Sequence, residues 1–311
     1  MLRIFSDISI PPTAGRAVAL GKFDGIHLGH LKLLDTVLSF RSEGLYPLVC
    51  TFAEPLSAVF SDEEPLTLTT NEERMELFRD MGIEEVFFLP VDDKTLSTPP
   101  EAFVRHTLVE TLHASVVVSG PDCSFGRGGK GDLALLRKMA DELKFRVVSV
   151  DKVLLNGEPI SSSRIRFVLK EGKMEEVRAL LGRDYSVGGR VRHGRKLGRR
   201  IEMPTVNLIP PEGKLLPPFG VYEVRVMVGS ESFEGVANLG VKPTVSGDRR
   251  VTLESHIFDF DEDLYGEEIE VRLLHFERPE WKFDSVKQLK SAMHSDMLVA
   301  KRFFQRKGTS G

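Results

Sequence analysis

The sequence predicts an α/β protein of two domains: a doubly wound parallel sheet followed by a small antiparallel β-barrel with a C-terminal helix. Three observations lead there. Short apolar, β-branched segments alternate with helix-like ones through the first half, as in βαβ units whose strands are buried on both faces. After Leu181-Gly182-Arg183-Asp184 the pattern becomes short strands separated by Gly-, Asp- and Pro-rich turns, which suits a small barrel. A length of 311 residues is comfortable for two domains. The expected boundaries are 1–183 and 184–311.

In the first domain the strands fall at Ala17–Leu20, Leu48–Phe52, Glu85–Leu89, Val116–Ser119 and Phe145–Val150. Helical spacing places helices near Leu31–Arg41, Asn71–Met81, Glu101–Leu112 and Asp132–Leu143. A short helix, Lys173–Leu181, stops at Gly182. In the second domain Val221–Val228, Phe233–Leu239, Val251–Phe258 and Glu268–Leu274 read as strands. Val286, Leu289, Met293, Met297, Ala300 and Phe304 form one apolar stripe, read as a helix packed on the barrel. Lys307–Gly311 is expected to fray.

Bulk composition excludes several classes. With 42 basic and 46 acidic residues, the net charge of −4 leaves no electrostatic footprint for nucleic acid. Two cysteines, Cys50 and Cys123, make no disulfide framework and suit a reducing compartment. The stretch Met1-Leu2-Arg3-Ile4-Phe5 lacks a signal-peptide core, and no run approaches the roughly 18 apolar residues of a membrane span. A cytoplasmic protein is expected, with small-molecule partners; weak or transient self-association is left open.

The most informative stretch is Gly21-Lys22-Phe23-Asp24-Gly25-Ile26-His27-Leu28-Gly29-His30, between a strand and a helix. Backbone N–H groups and the positive end of a helix dipole converge at such a turn and suit phosphate. Gly25 and Gly29 allow close approach to the backbone. His27 and His30 can point at one anion and stabilise charge developing on phosphorus. Asp24 is read two ways, as a polar or metal contact or as a turn former.

Three further segments belong with the first domain. Gly120-Pro121-Asp122-Cys123-Ser124-Phe125-Gly126-Arg127-Gly128-Gly129-Lys130-Gly131 follows a strand and could line a flavin or phosphate site. Ile160-Ser161-Ser162-Ser163-Arg164-Ile165-Arg166 precedes Phe167–Glu171. Its hydroxyls could be helix caps, but with two arginines they fit a triphosphate better. Thr51-Phe52-Ala53-Glu54-Pro55 closes the second strand.

In the second domain Gly188–Arg200 is rich in glycine and cations and reads as a loop over nucleotide phosphates or a basic surface loop. Just downstream, Thr205 and Asn207 share one face of an extended segment. Their hard oxygens suit Mg²⁺ bridging ATP phosphates. Glu254 lies on a strand and is either a general base toward a hydroxyl or an exposed strand carboxylate. Trp281 could stack or pack, and packing is preferred.

Gly21–His30 resembles the signature of the His-x-Gly-His nucleotidyltransferases, and its Gly-x-Phe-Asp-Gly start resembles their flavin branch, the prokaryotic bifunctional riboflavin kinase/FMN adenylyltransferase (FAD synthetase) family. Asp122, Phe125 and Gly126 match that family's Gly-x-Asp/Asn-Phe-x-Phe-Gly segment, with Cys123 standing where an aromatic is expected. The Ser162 region matches its Ile-Ser-Ser-Ser/Thr-x-x-Arg motif. Phe52 matches Phe-x-Pro-His-Pro, though the histidine is missing. Pro204-Thr205-Val206-Asn207 resembles the flavokinase Pro-Thr-Ala-Asn motif, with Glu202 where relatives carry glycine. Phe219–Tyr222, Val236–Thr244 and Arg278–Glu280 also resemble family landmarks, and the likeness runs from about residue 15 to about residue 304.

The resemblance implies two reactions. Riboflavin and ATP give FMN in the second domain; FMN and ATP give FAD and pyrophosphate in the first, both with Mg²⁺. It implies His27, His30, Arg166 and Glu254 as catalytic. ATP would meet Gly21, Phe23, Asp24, Gly25, Ser162, Ser163, Arg164, Gly194, Lys196 and Gly198. Flavin would meet Phe52, Asp122, Phe125, Gly126 and Asn238, and the metal Thr205 and Asn207. Rival readings are an adenylyltransferase with a dead kinase half, motivated by Glu202, and a catalytically inactive flavin-binding sensor.

Overall fold

The computed structural model describes residues 2–5, 15–55, 66–192, 203–243 and 249–308. The chain divides into two compact units, Met1–Ser162 and Ser163–Gly311.

The first unit is a six-stranded sheet of β1 (Arg3–Phe5), β2 (Arg16–Leu20), β3 (Tyr46–Phe52), β4 (Glu85–Leu89), β5 (Ala114–Ser119) and β6 (Arg146–Ser149), in the order β1-β4-β3-β2-β5-β6. Every pairing is parallel. The chain moves from β2 outward to β3 and β4, then returns to add β5 on the other side of β2. That reversal makes the C-terminal ends of β2 and β5 the switch point where such sheets bind ligands.

Alternation of side chains fills both faces. Val18, Leu20, Leu48 and Val117 pack with Phe103, Leu108, Leu136 and Met139 on one side. Ala17, Ala19, Val49 and Val116 pack with Leu34, Val37, Met75 and Phe78 on the other. The second face is covered by α1 (Leu28–Ser39) and α2 (Asn71–Asp80), the latter opened by a capping box of Thr70 and Glu73. After α3 (Asp93–Ser97), the helix expected over Glu101–Leu112 begins as α4 (Pro100–Ala102) and continues through Phe103–Thr111 as a π-helix; nothing in its spacing marks the wider turn. α5 (Leu133–Leu143) is capped by Asp132. β1 and the small hairpin of β7 (Leu154–Leu155) and β8 (Glu158–Pro159) were not expected from the sequence, being too short to show a period.

At the N-terminal end of β2 and β4, the end of the sheet opposite the switch point, Arg16 and Glu85 form an ion pair at 2.6 Å with both side chains fully buried. Arg3 meets the same carboxylate at 2.6 Å, and Arg16 also donates to the Leu112 carbonyl. Removing one partner leaves a buried charge unpaired. Glu85→Ala is therefore expected to destabilise the first unit by about 3–5 kcal/mol, read from the midpoint of urea unfolding. A loss below about 1 kcal/mol, the range of exposed pairs, would mean that water reaches Arg16.

The division falls at the first residue of α6 (Ser162–Lys170), and the rest of that helix and α7 (Met174–Leu181) open the second unit. The sequence placed the domain boundary after residue 183. The compact units divide earlier, because α7 packs on barrel strands: Glu175 meets His275, and Gly172 lies against the Phe276 ring. Next come β9 (Tyr185–Arg192), β10 (Val206–Leu208), β11 (Gly220–Val228), β12 (Glu231–Pro243), β13 (Arg249–Ile257) and β14 (Glu268–Pro279). They close as β10-β13-β12-β11-β14-β9, each neighbour antiparallel.

α8 (Val286–Gly308) lays Ala300 and Phe304, the C-terminal part of its apolar stripe, on Val221, Val236, Phe258 and Leu274, whereas Val286 at the other end is exposed. The helix continues to Gly308, past the point where fraying was expected. Gly188–Arg192, expected to open a phosphate loop, is instead strand β9: Gly188 pairs with Glu270 and Arg192 with Asn207.

Candidate active sites

At the switch point Gly21 leaves β2 with its N–H bonded to the Cys50 carbonyl at 3.3 Å. Phe23 and Ile26 take φ of 51° and 38°, left-handed values that cost roughly 1–2 kcal/mol per non-glycine residue. Both side chains are fully buried in the core beside α1 and α2, which offsets that cost and fixes the loop. Gly25, at φ 82°, donates to Thr69 Oγ1 at 3.0 Å. The Asp24 carboxylate accepts the N–H groups of Leu68 and Thr69 at 2.8 and 3.3 Å. Its carbonyl accepts from the Ser162 hydroxyl at 2.8 Å.

His27 caps α1, its Nδ1 accepting the His30 N–H at 3.3 Å. An accepting Nδ1 carries no proton, so the neutral ring holds its proton on Nε2. The two rings stack with centroids 3.7 Å apart and planes 15° apart, while Phe23 supports His30 at 5.1 Å. A Cβ on Gly29 would stand 3.1 Å from the His27 ring, so this glycine makes room for the imidazole.

One organiser of this site was not singled out from sequence. Arg74, on α2 and 7% exposed, donates to the carbonyls of Lys22 and Phe52 at 3.3 and 3.1 Å and to Thr51 Oγ1 at 3.4 Å. Thr51 in turn donates to the Lys22 carbonyl. One guanidinium thus ties together the loops leaving β2 and β3. Burial lowers the Arg74 pKa, opposed by Asp24 and Glu72. Phe52 itself is half-buried at the end of β3.

The loop after β5 flanks the same switch point. Asp122 is exposed and pairs with Lys152 at 2.9 Å, which lowers its pKa. The Phe125 ring is buried against Phe103 and lies under Gly131, so it holds the loop from beneath. Gly126, at φ 68°, would press a Cβ to 2.6 Å from Pro100 Cα, and only glycine fits. Cys123 is half-buried with its thiol pKa raised by desolvation; Cys50 is fully buried and pushed to about 12. Neither has the lowered pKa of a reactive thiol.

Ser162, Ser163, Arg164 and Arg166 lie in the first turns of α6, which starts five residues before the expected Phe167. Ser163 is exposed and Arg166 half-buried, while Arg164 pairs with Glu176 at 3.3 Å.

On the outer face of the barrel, Asn207 on β10 lies directly opposite Glu254 on β13, and Glu254 opposite Asn238 on β12. The row behind them, Leu208, Leu253 and Leu239, is fully buried inside. Pleating therefore puts Asn207, Glu254 and Asn238 side by side across three strands, with Thr205 on the same face. His256, two residues beyond Glu254, bonds through Nδ1 to the Pro204 carbonyl at 2.8 Å and anchors the Thr205 segment. Asn238 donates to Glu280 at 3.3 Å. A cavity of about 550 Å³ opens beside His256 and Met203, bounded by Lys287, Lys290 and His294 of α8. Trp281 is exposed, with the Arg278 guanidinium 3.9 Å above its ring. Gly194, Lys196, Gly198 and Glu202 lie outside the described residues.

Two family models match the chain. Residues 10–164 match the FAD synthetase family and residues 181–304 the riboflavin kinase family. The chain is 36% identical to the bifunctional riboflavin kinase/FMN adenylyltransferase of Listeria monocytogenes, covering 94% of this chain and 93% of that one. It belongs to that bifunctional family. The Escherichia coli and Bacillus subtilis members are each 34% identical, over 98% and 94% of this chain and 97% and 93% of theirs.

Among solved structures, a Streptococcus pneumoniae protein described as a macrolide-efflux protein superposes with TM-score 0.85 at 30% identity, over 96% of this chain and 98% of that one. The likeness covers both units. Among the described residues no helix is long and apolar enough to cross a membrane. Membership in the family places two transferase sites on one chain, and the two sets of motif residues fall on separate compact units, apart from Ser163, Arg164 and Arg166 on α6.

Proposed function

We propose that the protein makes FAD from riboflavin in two steps, riboflavin phosphorylation at the barrel and FMN adenylylation at the parallel sheet. The observation that supports this reading is the presence on one chain of both residue sets, each gathered at one place in its fold. The stacked His27–His30 pair sits at a helix N-terminus on a switch point, and Asn207, Glu254 and Asn238 stand in register across three barrel strands.

In the adenylylation step the FMN phosphate is already an anionic nucleophile, so no strong base is needed. It attacks the α-phosphorus of ATP and pyrophosphate leaves. Catalysis rests on positioning and charge stabilisation. His27 and His30, backed by the α1 dipole, stabilise the charge on the reacting phosphoryl group. Gly21, Phe23 and Gly25 shape the backbone against ATP, and Asp24 holds that turn through Leu68, Thr69 and Ser162. Arg166 neutralises the β- and γ-phosphates, assisted by Ser162 and Ser163. Phe52, Asp122 and Gly126, with Phe125 beneath, form the flavin side. This activity is assigned to residues 1–183.

For phosphorylation, assigned to residues 184–311, Glu254 takes the proton of the riboflavin 5′-hydroxyl as it attacks the γ-phosphorus of ATP, and ADP leaves. Thr205 and Asn207 offer a hydroxyl and a carboxamide oxygen on one face, a hard donor pair suited to Mg²⁺. A bound Mg²⁺ would neutralise phosphate charge there. Asn238 contacts the flavin. The working setting is the cytoplasm, with small-molecule partners, no nucleic acid, and self-association weak or transient.

The test is a product time course with purified protein, riboflavin, ATP and Mg²⁺, resolved by chromatography. FMN is expected to appear and then give way to FAD. FAD formed from added FMN but not from riboflavin would sink the kinase assignment, and FMN accumulating unconverted would sink the other.

A further inference from the structure

A separate group of ligand-type side chains sits under the C-terminal half of α8, on strands that do not include β10. Glu223 on β11 lies directly opposite His275 on β14. The register slips on both sides of this pair, between Val221 and Tyr222 and between Glu223 and Val224. Such bulges re-aim side chains. They bring Glu277 beside the other two, so that one ligand atom from each lies within 4.8 Å of the others.

The Glu223 side chain is sealed, 1% exposed, and among the described residues nothing donates to its Oε2. A buried carboxylate oxygen left so costs free energy unless something positive meets it. His275 is oriented from behind: its Nδ1 lies 2.5 Å from Glu175 Oε1 on α7, and its ring stacks on Phe303 at 5.6 Å. In the neutral tautomer whose Nδ1 donates to that carboxylate, the lone pair stands on Nε2. A carboxylate behind a ligating histidine is the recurrent support of protein metal sites.

We propose that Glu223, His275 and Glu277 bind a divalent first-row transition ion of the zinc type. One imidazole and two carboxylates are a mixed nitrogen–oxygen set, which suits zinc, cobalt or manganese, whereas magnesium takes oxygen alone. Zinc bonds of about 2.0–2.1 Å put tetrahedral ligand atoms roughly 3.4 Å apart. Closing from the observed spacing needs side-chain shifts of about an ångström, which long glutamates supply. Three protein ligands leave a fourth position open. It faces a cavity of about 360 Å³ walled by Arg302, Phe303 and Arg306. The two guanidinium groups oppose any cation there, a repulsion that the two carboxylates must outweigh, and they favour a water-derived hydroxide or small anion as fourth ligand.

The experiment is equilibrium dialysis of the full-length, chelator-stripped protein against micromolar zinc, without nucleotide and with excess Mg²⁺, counting bound zinc by mass spectrometry. One equivalent is expected in the wild type and in Asn207→Ala, and is lost in His275→Ala and Glu277→Gln. Glu175→Gln keeps all three ligands and is expected to weaken binding by about 10–100-fold, a readout that survives if an alanine variant misfolds. No zinc on the wild type would overturn the proposal, the carboxyl pair then being held by a shared proton. Undiminished zinc on His275→Ala and Glu277→Gln would overturn it too, placing the ion elsewhere.

Discussion

Replacing His30 with alanine is expected to slow FMN adenylylation by about 10²–10³-fold, the usual cost of losing one preorganised group aimed at developing charge, while riboflavin phosphorylation continues unchanged. The geometry makes this a clean substitution. The hydrogen bond that caps α1 runs from the main-chain N–H of His30 to His27 Nδ1, so alanine keeps the cap and removes only the ring. His27→Ala would lose the ring and the cap together, adding about 1 kcal/mol of helix destabilisation. A group that acts on the transition state lowers kcat and leaves KM near its original value. Both rates should be measured on the same preparation, with circular dichroism to establish folding. Equal loss of the two activities in a folded protein would mean that the sites are not divided as proposed.

How much of this could be read in advance depended on how local the determinant was. The strand Glu85–Leu89 has the ends that its sequence predicts: Val86–Leu89 is the apolar run of a parallel strand buried on both faces, and Glu85 is buried at its start by Arg16. His27 and His30 stand out because a glycine-bracketed pair at a strand-to-helix turn is a local pattern of ten residues, and the structure stacks their rings at that turn. The helix holding Arg166 begins five residues before Phe167: Ser162 and Ser163, expected to precede the helix, lie in its first turn, and Ser161 stands just outside it. Gly188 and Gly189 read as a loop and proved to be barrel strand, since pairing with β14 supplies the order that glycine lacks.

Other determinants were invisible for a physical reason. Arg74 looks like any charged residue of an amphipathic helix; its burial depends on carbonyls at Lys22 and Phe52, which only the sheet brings near. Glu223 and His275 are separated by 52 positions and meet through cross-strand pairing with two bulges, which no spacing rule encodes. For Asp24 the sequence left a metal contact and a turn open. Its bonds to Leu68 and Thr69 show the carboxylate holding two loops together.

The complementary substitution, Glu254→Gln, is expected to cut riboflavin phosphorylation by about 10²–10³-fold, toward the lower part of the range for general-base groups, with FAD formation from added FMN intact. The lower part is chosen because phosphoryl transfer passes through a loose transition state in which positioning and charge neutralisation carry most of the rate. Glutamine preserves the size of the side chain and its place between Asn207 and Asn238, but cannot take a proton. The row of three should therefore stay in register, and flavin and ATP should still bind, leaving KM little changed. Glu254→Asp separates reach from basicity: it keeps the carboxylate but withdraws it by one methylene, so a base that must touch the 5′-hydroxyl loses rate here as well. An ordinary exposed strand glutamate would tolerate both changes. If kcat survived in both variants, the proton would have to leave by another route, and the neighbouring His256, already bonded to the Pro204 carbonyl, would be the next group to replace.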